Sequence, residues 1–373
     1  MKKPLGHVLR LYALGACLAA SIPLVCSCRR PAAPAPPSKV PEAVAPPPKP
    51  RFPKPDKVRG IYLTAWSAGS KKKMEHMFAY LKRNGLNTVV IDVRDCGDIY
   101  FKTDIPLAKA CHATNLAVVH PDRLLDSLQA HGIYPIARIA CFRDKHLPFL
   151  EKGRAVQFPD GSLWTDRAGY TWLDPYNKKN WDYIGSVVDY ALNLGFPEVQ
   201  LDYVRFPSEG KESTMVFPSR KTYPDKKATP TQVVAAFATA IAQRVKAKNA
   251  AYSADIFGIV SSTTTDEGIG QELETVAAPF DRLSPMVYPS HFHKGEYGIA
   301  DPNQSPYRII VKSLRDYRKR LPGKPIRPWL QDFWGYSATQ VNLQIKAAKD
   351  VGFDEFLLWN SGNQYSEGVK AGG

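Results

Sequence analysis

The chain of 373 residues is 44% hydrophobic and 11% aromatic, which supports a large packed core and excludes a mostly disordered protein. Its formal net charge of +15 is uneven: residues 1–57 hold ten Lys/Arg and two Asp/Glu, more than half of the excess. The remainder is only mildly basic, which argues against DNA or RNA as a partner.

At the N-terminus Lys2, Lys3 and Arg10 precede an apolar run over residues 11–25 that Pro23 interrupts. A basic start and a short apolar stretch form a secretory signal and are too brief for a membrane span. The run ends in Leu24-Val25-Cys26-Ser27-Cys28, which resembles a bacterial lipobox with Cys28 as the lipidated residue, although Val25 stands where Leu is commoner. The expectation is a lipid-anchored extracytoplasmic protein, with simple cleavage to a secreted or periplasmic form as the alternative. Residues 29–57 form a Pro/Ala/Lys-rich linker, with eleven prolines between residues 31 and 55. Such a tether is extended, and its cations face anionic lipid head groups. Beyond it lie Cys96, Cys111 and Cys141. They allow one disulfide, Cys96–Cys111, or three buried thiols. No C-x-x-C pair occurs among them, so neither a zinc knuckle nor a thioredoxin-type motif is expected.

From residue 58 to 373 short β-rich runs alternate with helical patterns. Strands are expected at 58–64, 88–93, 133–140, 198–204, 251–256, 282–288, 326–331 and 355–359. Helices are expected at about 70–83, 120–131, 180–194, 231–247, 270–278, 305–320 and 338–350. Eight such alternations predict a TIM (β/α)8 barrel. A doubly wound sheet would show a Gly-rich phosphate turn, and there is no G-x-G-x-x-G or G-K-[ST]. Helix-to-strand links are short, whereas the strand-to-helix links at about 94–119, 141–179, 205–230, 257–269 and 289–304 are long. Insertions gather on the face where barrel enzymes keep their sites.

The strand ends supply candidate groups. In the fourth strand Val199, Leu201 and Tyr203 share one face and Gln200 and Asp202 the other, so an apolar face toward the helices turns Asp202 into the barrel mouth. Asp255 ends the fifth strand on the side of Ala251 and Ser253. Neighbouring strands lie about 4.8 Å apart, so these carboxylates can approach the roughly 5–5.5 Å spacing of a retaining glycosidase. Asp92 is a further inward aspartate, with Asp95 just beyond it. An ionised Asp202 in an apolar strand needs compensation, and Arg138 and Arg205 are the candidates. The partner acid must titrate higher through burial and a nearby negative charge, a role that suits Asp255. Aromatic faces and hydrogen-bonding groups for sugars are offered by Trp66, Tyr288, Gln331, Trp334, Trp359 and Asn360, and by Trp164, Trp172 and Asp174 in the loop after strand three. His291 and His293 follow strand six without a third histidine nearby, so they are read as loop residues at the substrate and no metal is expected. The zincin, α/β-hydrolase and NTPase motifs are absent.

Several segments resemble, in order over about residues 58–365, a bacterial family of glycosyl hydrolase domains. The strand-four run Gln200-Leu201-Asp202-Tyr203-Val204-Arg205-Phe206-Pro207 is the most specific. It is joined by Arg59-Gly60-Ile61-Tyr62-Leu63-Thr64, Ile91-Asp92-Val93-Arg94-Asp95, Ala137-Arg138-Ile139 with Phe142-Arg143-Asp144, and Trp172-Leu173-Asp174-Pro175-Tyr176. Ser253-Ala254-Asp255-Ile256-Phe257-Gly258, Pro285-Met286-Val287-Tyr288-Pro289-Ser290 and Trp329-Leu330-Gln331-Asp332-Phe333 complete the set. The resemblance implies a TIM barrel distantly related to the α-amylase-like glycosidases, with Asp202 in the nucleophile's place. In that clan the acid ending strand five is usually Glu, where this chain has Asp255. Glu209 and Glu267 in the flanking loops are its rivals.

The resulting expectation is a lipid-anchored glycoside hydrolase acting on an extracytoplasmic or envelope polysaccharide through Asp202 and Asp255. Asp92, Asp95, Arg138, Arg205, Trp66, Asp174, Tyr288, His291, Gln331, Trp334 and Trp359 are the expected substrate-binding residues. The expected partners are carbohydrate and a lipid membrane, with no cofactor and no nucleic acid. The alternatives are an inactive glycan-binding barrel and a metal-assisted hydrolase or deacetylase using Asp92, Asp95, His291 and His293.

Overall fold

The computed structural model describes residues 50–372. The signal segment, Cys28 and residues 29–49 of the linker lie outside the described residues. Among the described residues no helix is long and apolar enough to cross a membrane.

The strands are β1 (Arg59–Leu63), β2 (Thr88–Asp95), β3 (Asp98–Phe101), β4 (Thr114–Val118), β5 (Tyr134–Ala140), β6 (Glu198–Asp202), β7 (Ala251–Phe257), β8 (Arg282–Met286), β9 (Trp329–Gln331) and β10 (Phe356–Trp359). Eight of them close a parallel ring in the order β1-β2-β5-β6-β7-β8-β9-β10, with β10 returning to β1. This is the expected TIM barrel. Its strands are buried on both faces because helices cover the outside and side chains fill the centre.

The helices are α1 (Ala65–Ala68), α2 (Lys71–Arg83), α3 (Pro106–Ala110), α4 (Pro121–Ala130), α5 (Leu147–Leu150), α6 (Lys178–Leu194), α7 (Pro230–Ala247), α8 (Leu273–Ala277), α9 (Pro306–Arg320) and α10 (Ala338–Asp350). Their ends are set locally. Thr229 and Gln232 form a capping box before α7, with Pro230 in the first turn, and Ser337 and Gln340 form another before α10. Gly195 takes the left-handed C-cap of α6 at φ 101°, which turns the chain straight into β6.

Four of the differences from the sequence reading have a local physical reason. β6 stops at Asp202 rather than 204, because Tyr203 has φ 48° and leaves the strand. β9 begins at Trp329, since Pro325 and Pro328 offer no N–H to a ladder and Ile326 makes only a bridge to Leu283. α8 begins at Leu273, after Gly270 at φ 76° and after Gln271, whose Oε1 accepts from the Phe257 N–H at 3.0 Å. The link at 94–119 is not a plain loop: Cys96 and Gly97, at φ 45° and 93°, form a two-residue turn that folds β3 back on β2. Cys96 sits in that turn and Cys111 caps α3, and Cys96, Cys111 and Cys141 are all free, buried thiols. The Cys96–Cys111 disulfide is thus corrected to the thiol reading.

The lower barrel is filled by a polar cluster. Arg327 Nη2 donates to Glu198 Oε1 at 2.6 Å, to Gln200 Oε1 at 2.7 Å and to Ser253 Oγ at 3.3 Å, and both ion-pair side chains are fully buried. This cluster lies directly beneath the strand ends that carry the candidate site.

Candidate active site

Register decides which inward residues meet. Arg138 pairs with Gln200 and Ala140 with Asp202 across β5 and β6, while Leu201 pairs with Ala254 across β6 and β7. Asp202 and Asp255 are therefore neighbours one step further up. Arg138 stands between them. Its Nη2 donates to Asp202 Oδ2 at 2.5 Å and its Nε to the same oxygen at 3.0 Å. Asp255 Oδ2 lies 3.9 Å from that Nε. The other edge of the guanidinium serves β2: Nη1 donates to Asp92 Oδ1 at 2.5 Å and to Asp95 Oδ1 at 3.3 Å. Asp202 Oδ1 accepts from the Tyr203 N–H at 2.6 Å, a bond that the left-handed turn at Tyr203 makes possible.

Four carboxylates around one cation do not all bear charge equally. Burial opposes the charge on Arg138, yet Asp202, Asp92 and Asp95 together hold it well above the usual arginine range. Burial, reinforced by the charge of Asp202, drives the Asp255 carboxyl well above the usual carboxylate range. Trp329 Nε1 donates to Asp255 Oδ1 at 2.6 Å, and Gln200 Nε2 donates to that same oxygen. Oδ2 is thus left toward Arg138 and the cleft. Asp92, fully desolvated, is pushed up to about 7 despite Arg138 beside it.

Above these groups opens a cleft of about 490 Å³. Arg138, Asp202, Arg205, Asp255, Tyr288, His291 and Trp359, all expected site residues, line it, and so do both rivals for the acid, Glu209 and Glu267. Burial lowers the pKa of His291. Trp359 stacks on Tyr62 at 4.0 Å and 20° and forms an aromatic wall beside Arg138, whose Cζ is 5.3 Å from the ring centre.

Other expected residues lie elsewhere. Asp92 is buried beneath the cleft against Arg138 and Tyr62, and Asp95 also turns to Arg138, so neither lines the cavity. Asp174 is fully buried and accepts from the N–H groups of Tyr176 and Ser219, where it ties two loops together. Gln331 is buried and accepts from the Ser290 N–H at 3.0 Å, bracing the 289–304 loop. Trp164 and Trp172 are core residues rather than glycan platforms. Trp66 and Trp334 are exposed at 55% and 72% and stand outside the cavity lining. Asn360 caps a turn through Gly362. Arg205 does not bond Asp202. It lies among Trp172, Tyr203 and Phe257 and donates to Phe206 O and Ser208 Oγ. The residues set out for a metal are divided: Asp92 and Asp95 face Arg138, and His291 and His293 border the cleft. Among the described residues no three His, Cys, Asp or Glu side chains form a group able to hold a metal ion.

Residues 60–365 match the family model described as "Putative glycosyl hydrolase domain". The chain belongs to this family. Membership makes this glycosyl hydrolase domain an enzyme of the glycoside hydrolase class, with carbohydrate as its substrate. Solved structures agree on the fold. The glycoside hydrolase domain of PgaB (BpsB) from Bordetella bronchiseptica superposes with a TM-score of 0.62 at 12% identity, over 82% of this chain and 94% of that one. The α-galactosidase TtGalA from Thermus thermophilus gives 0.52 at 12% identity, over 85% and 61%. The endo-1,4-β-D-mannanase from Thermotoga petrophila gives 0.51 at 12% identity, over 81% and 88%. No curated protein matches the chain.

Sequence reasoning left out Tyr62, Gln200 and Trp329 as site residues. Gln200 and Trp329 had a visible signal, since each precedes by two a residue already singled out and so shares its inward face. Tyr62 had none, because its contact is with Asp92 on a neighbouring strand.

Proposed function

We propose that this domain is a retaining glycoside hydrolase, with Asp202 as nucleophile and Asp255 as general acid/base, acting on an extracytoplasmic polysaccharide. The observation that carries the reading is the shared guanidinium. Two carboxyl groups of unlike environment meet on Arg138 at the floor of a cleft walled by aromatic rings. Their facing oxygens lie 3.0 and 3.9 Å from one nitrogen, so they are within about 7 Å of each other, which favours the retaining spacing over most of the inverting range.

The chemistry follows from their surroundings. Asp202, oriented by two guanidinium N–H groups and one backbone N–H, attacks the anomeric carbon and forms a glycosyl ester. Asp255, kept protonated by burial and by Asp202, gives its proton to the leaving oxygen. The resulting carboxylate then takes a proton from the water that hydrolyses the ester. Trp359, Tyr288 and His291 line the sugar site, and Trp334 at the rim extends it. Secretion and anchoring through Cys28 rest on the N-terminal sequence pattern.

The test is hydrolysis of a panel of aryl glycosides and polysaccharides by the protein and by Asp202→Asn, with Asp255→Asn, Glu209→Gln and Glu267→Gln beside them. Loss of turnover in Asp202→Asn and Asp255→Asn, with both glutamate variants active, supports the assignment. Activity that survives Asp202→Asn overturns it. Loss confined to a glutamate variant moves the acid to that residue. Glycan binding without turnover by any form would make this a binding barrel.

A further inference from the structure

Tyr62 and Asp92 line no part of the cleft, yet they control how its central cation sits. The Tyr62 hydroxyl donates to Asp92 Oδ2 at 2.5 Å. Asp92 Oδ1 accepts from Arg138 Nη1 at 2.5 Å, while Nε and Nη2 of the same guanidinium hold Asp202 Oδ2. The guanidinium is planar, so bonding along two edges fixes both its tilt and its rotation. The faces are limited too: Arg138 Cζ lies 5.7 Å from the Tyr62 ring centre and 5.3 Å from that of Trp359. We propose that Tyr62 and Asp92 are positioning residues that lock Arg138 from behind and so set the orientation in which Asp202 faces the cleft. The proposal rests on the assignment of Asp202 as nucleophile for its kinetic consequence, but not for its geometry.

Packing alone does not account for this arrangement. Asp92 is 3% exposed and is flanked in its strand by the apolar, buried Ile91 and Val93. Placing a carboxyl there is unfavourable unless it is bonded, and an apolar residue would serve a plain core as well or better. The groups facing Asp92 are Tyr62 from β1, Asp95 from its own strand, Tyr100 from β3 and Arg138 from β5. Of these only Arg138 is a cation, so the charge of Asp92 is answered at the residue that orients Asp202.

Arginine NMR on the isotope-labelled protein tests the lock without any substrate, the Arg138 signals being assigned with Arg138→Lys. A guanidinium bonded at both edges rotates slowly and gives separate Nη resonances. The expected result is separate signals in the wild type, merged signals in Asp92→Ala, and an intermediate state in Asp92→Asn, which keeps an acceptor without the charge. Tyr62→Phe, which loses one hydroxyl and little packing, is expected to broaden the same signals. In the wild type the Arg138 Nε signal should shift with a midpoint near pH 7 as Asp92 ionises, and that shift should vanish in Asp92→Asn. On an aryl glycoside that the wild type hydrolyses, Tyr62→Phe and Asp92→Ala should lower kcat by roughly 10- to 100-fold, with KM changed less than about twofold. Asp92→Asn should recover part of that loss. Arg138 signals that stay separate in every folded variant, or kcat equal to wild type in both Tyr62→Phe and Asp92→Ala, overturn the proposal. Merged signals in a protein without any hydrolase activity would keep the lock and overturn the catalytic reading instead.

Discussion

Asp92 makes stability depend on pH in a calculable way. Unfolded, its carboxyl ionises from its ordinary value of 3.8 upward; folded, burial delays this to about 7. Between those values the native state holds a proton that the unfolded chain has released. Fewer protons bound in the unfolded state mean that stability falls as pH rises, and that the full contribution is present only below 3.8. The whole interval corresponds to about 4 kcal/mol, of which about 3 kcal/mol falls above pH 5. Asp92→Asn removes the ionisation and keeps the shape. Urea unfolding of both proteins, followed by tryptophan fluorescence from about pH 5 to pH 8, isolates the difference, because every other ionisable group is common to both. From about pH 5 to about pH 8 the variant should gain about 3 kcal/mol on the wild type. Parallel curves, or a wild type that gains on the variant as pH rises, would refute the reasoning.

Three further outcomes are expected. Arg327→Met leaves Glu198 buried without its partner and should lower unfolding stability by about 3–5 kcal/mol, and a loss under about 1 kcal/mol would count against the buried-pair account. Trp329→Phe removes a donor that lowers the Asp255 pKa, so Asp255 titrates still higher and the alkaline limb of the kcat/KM profile should move to higher pH; a limb that stays or moves down would contradict the acid role. Gly69→Ala places a methyl 2.1 Å from the Ala117 carbonyl oxygen, a backbone atom, and should cost about 1–3 kcal/mol in chemical denaturation, whereas a neutral result would mean that β4 can move aside.

The sequence alone determined the elements, the closed barrel and the working face. Eight apolar runs separated by amphipathic helices admit few arrangements, and proline, glycine and capping residues mark most boundaries. Strand alternation also placed Asp202 and Asp255 inward, because side chains in a strand point to opposite faces in turn. The family resemblance agreed with the matched domain over nearly the same residues.

What tertiary structure decided was partnership. Whether Arg138 or Arg205 answers Asp202 depends on strand register and loop path, which no local pattern encodes. Register set Arg138 beside β6, and the left-handed turn at Tyr203 carried Arg205 away to Ser208. Burial likewise separated residues that look alike in sequence: Trp359 lines the cleft while Trp164 and Trp172 are core, and Asp174 braces loops while Asp255 meets Asp202 on Arg138. The functional distinction arises from desolvation and from charges on other strands. Both are properties of the assembled barrel, since each aspartate by itself has the same ordinary acidity.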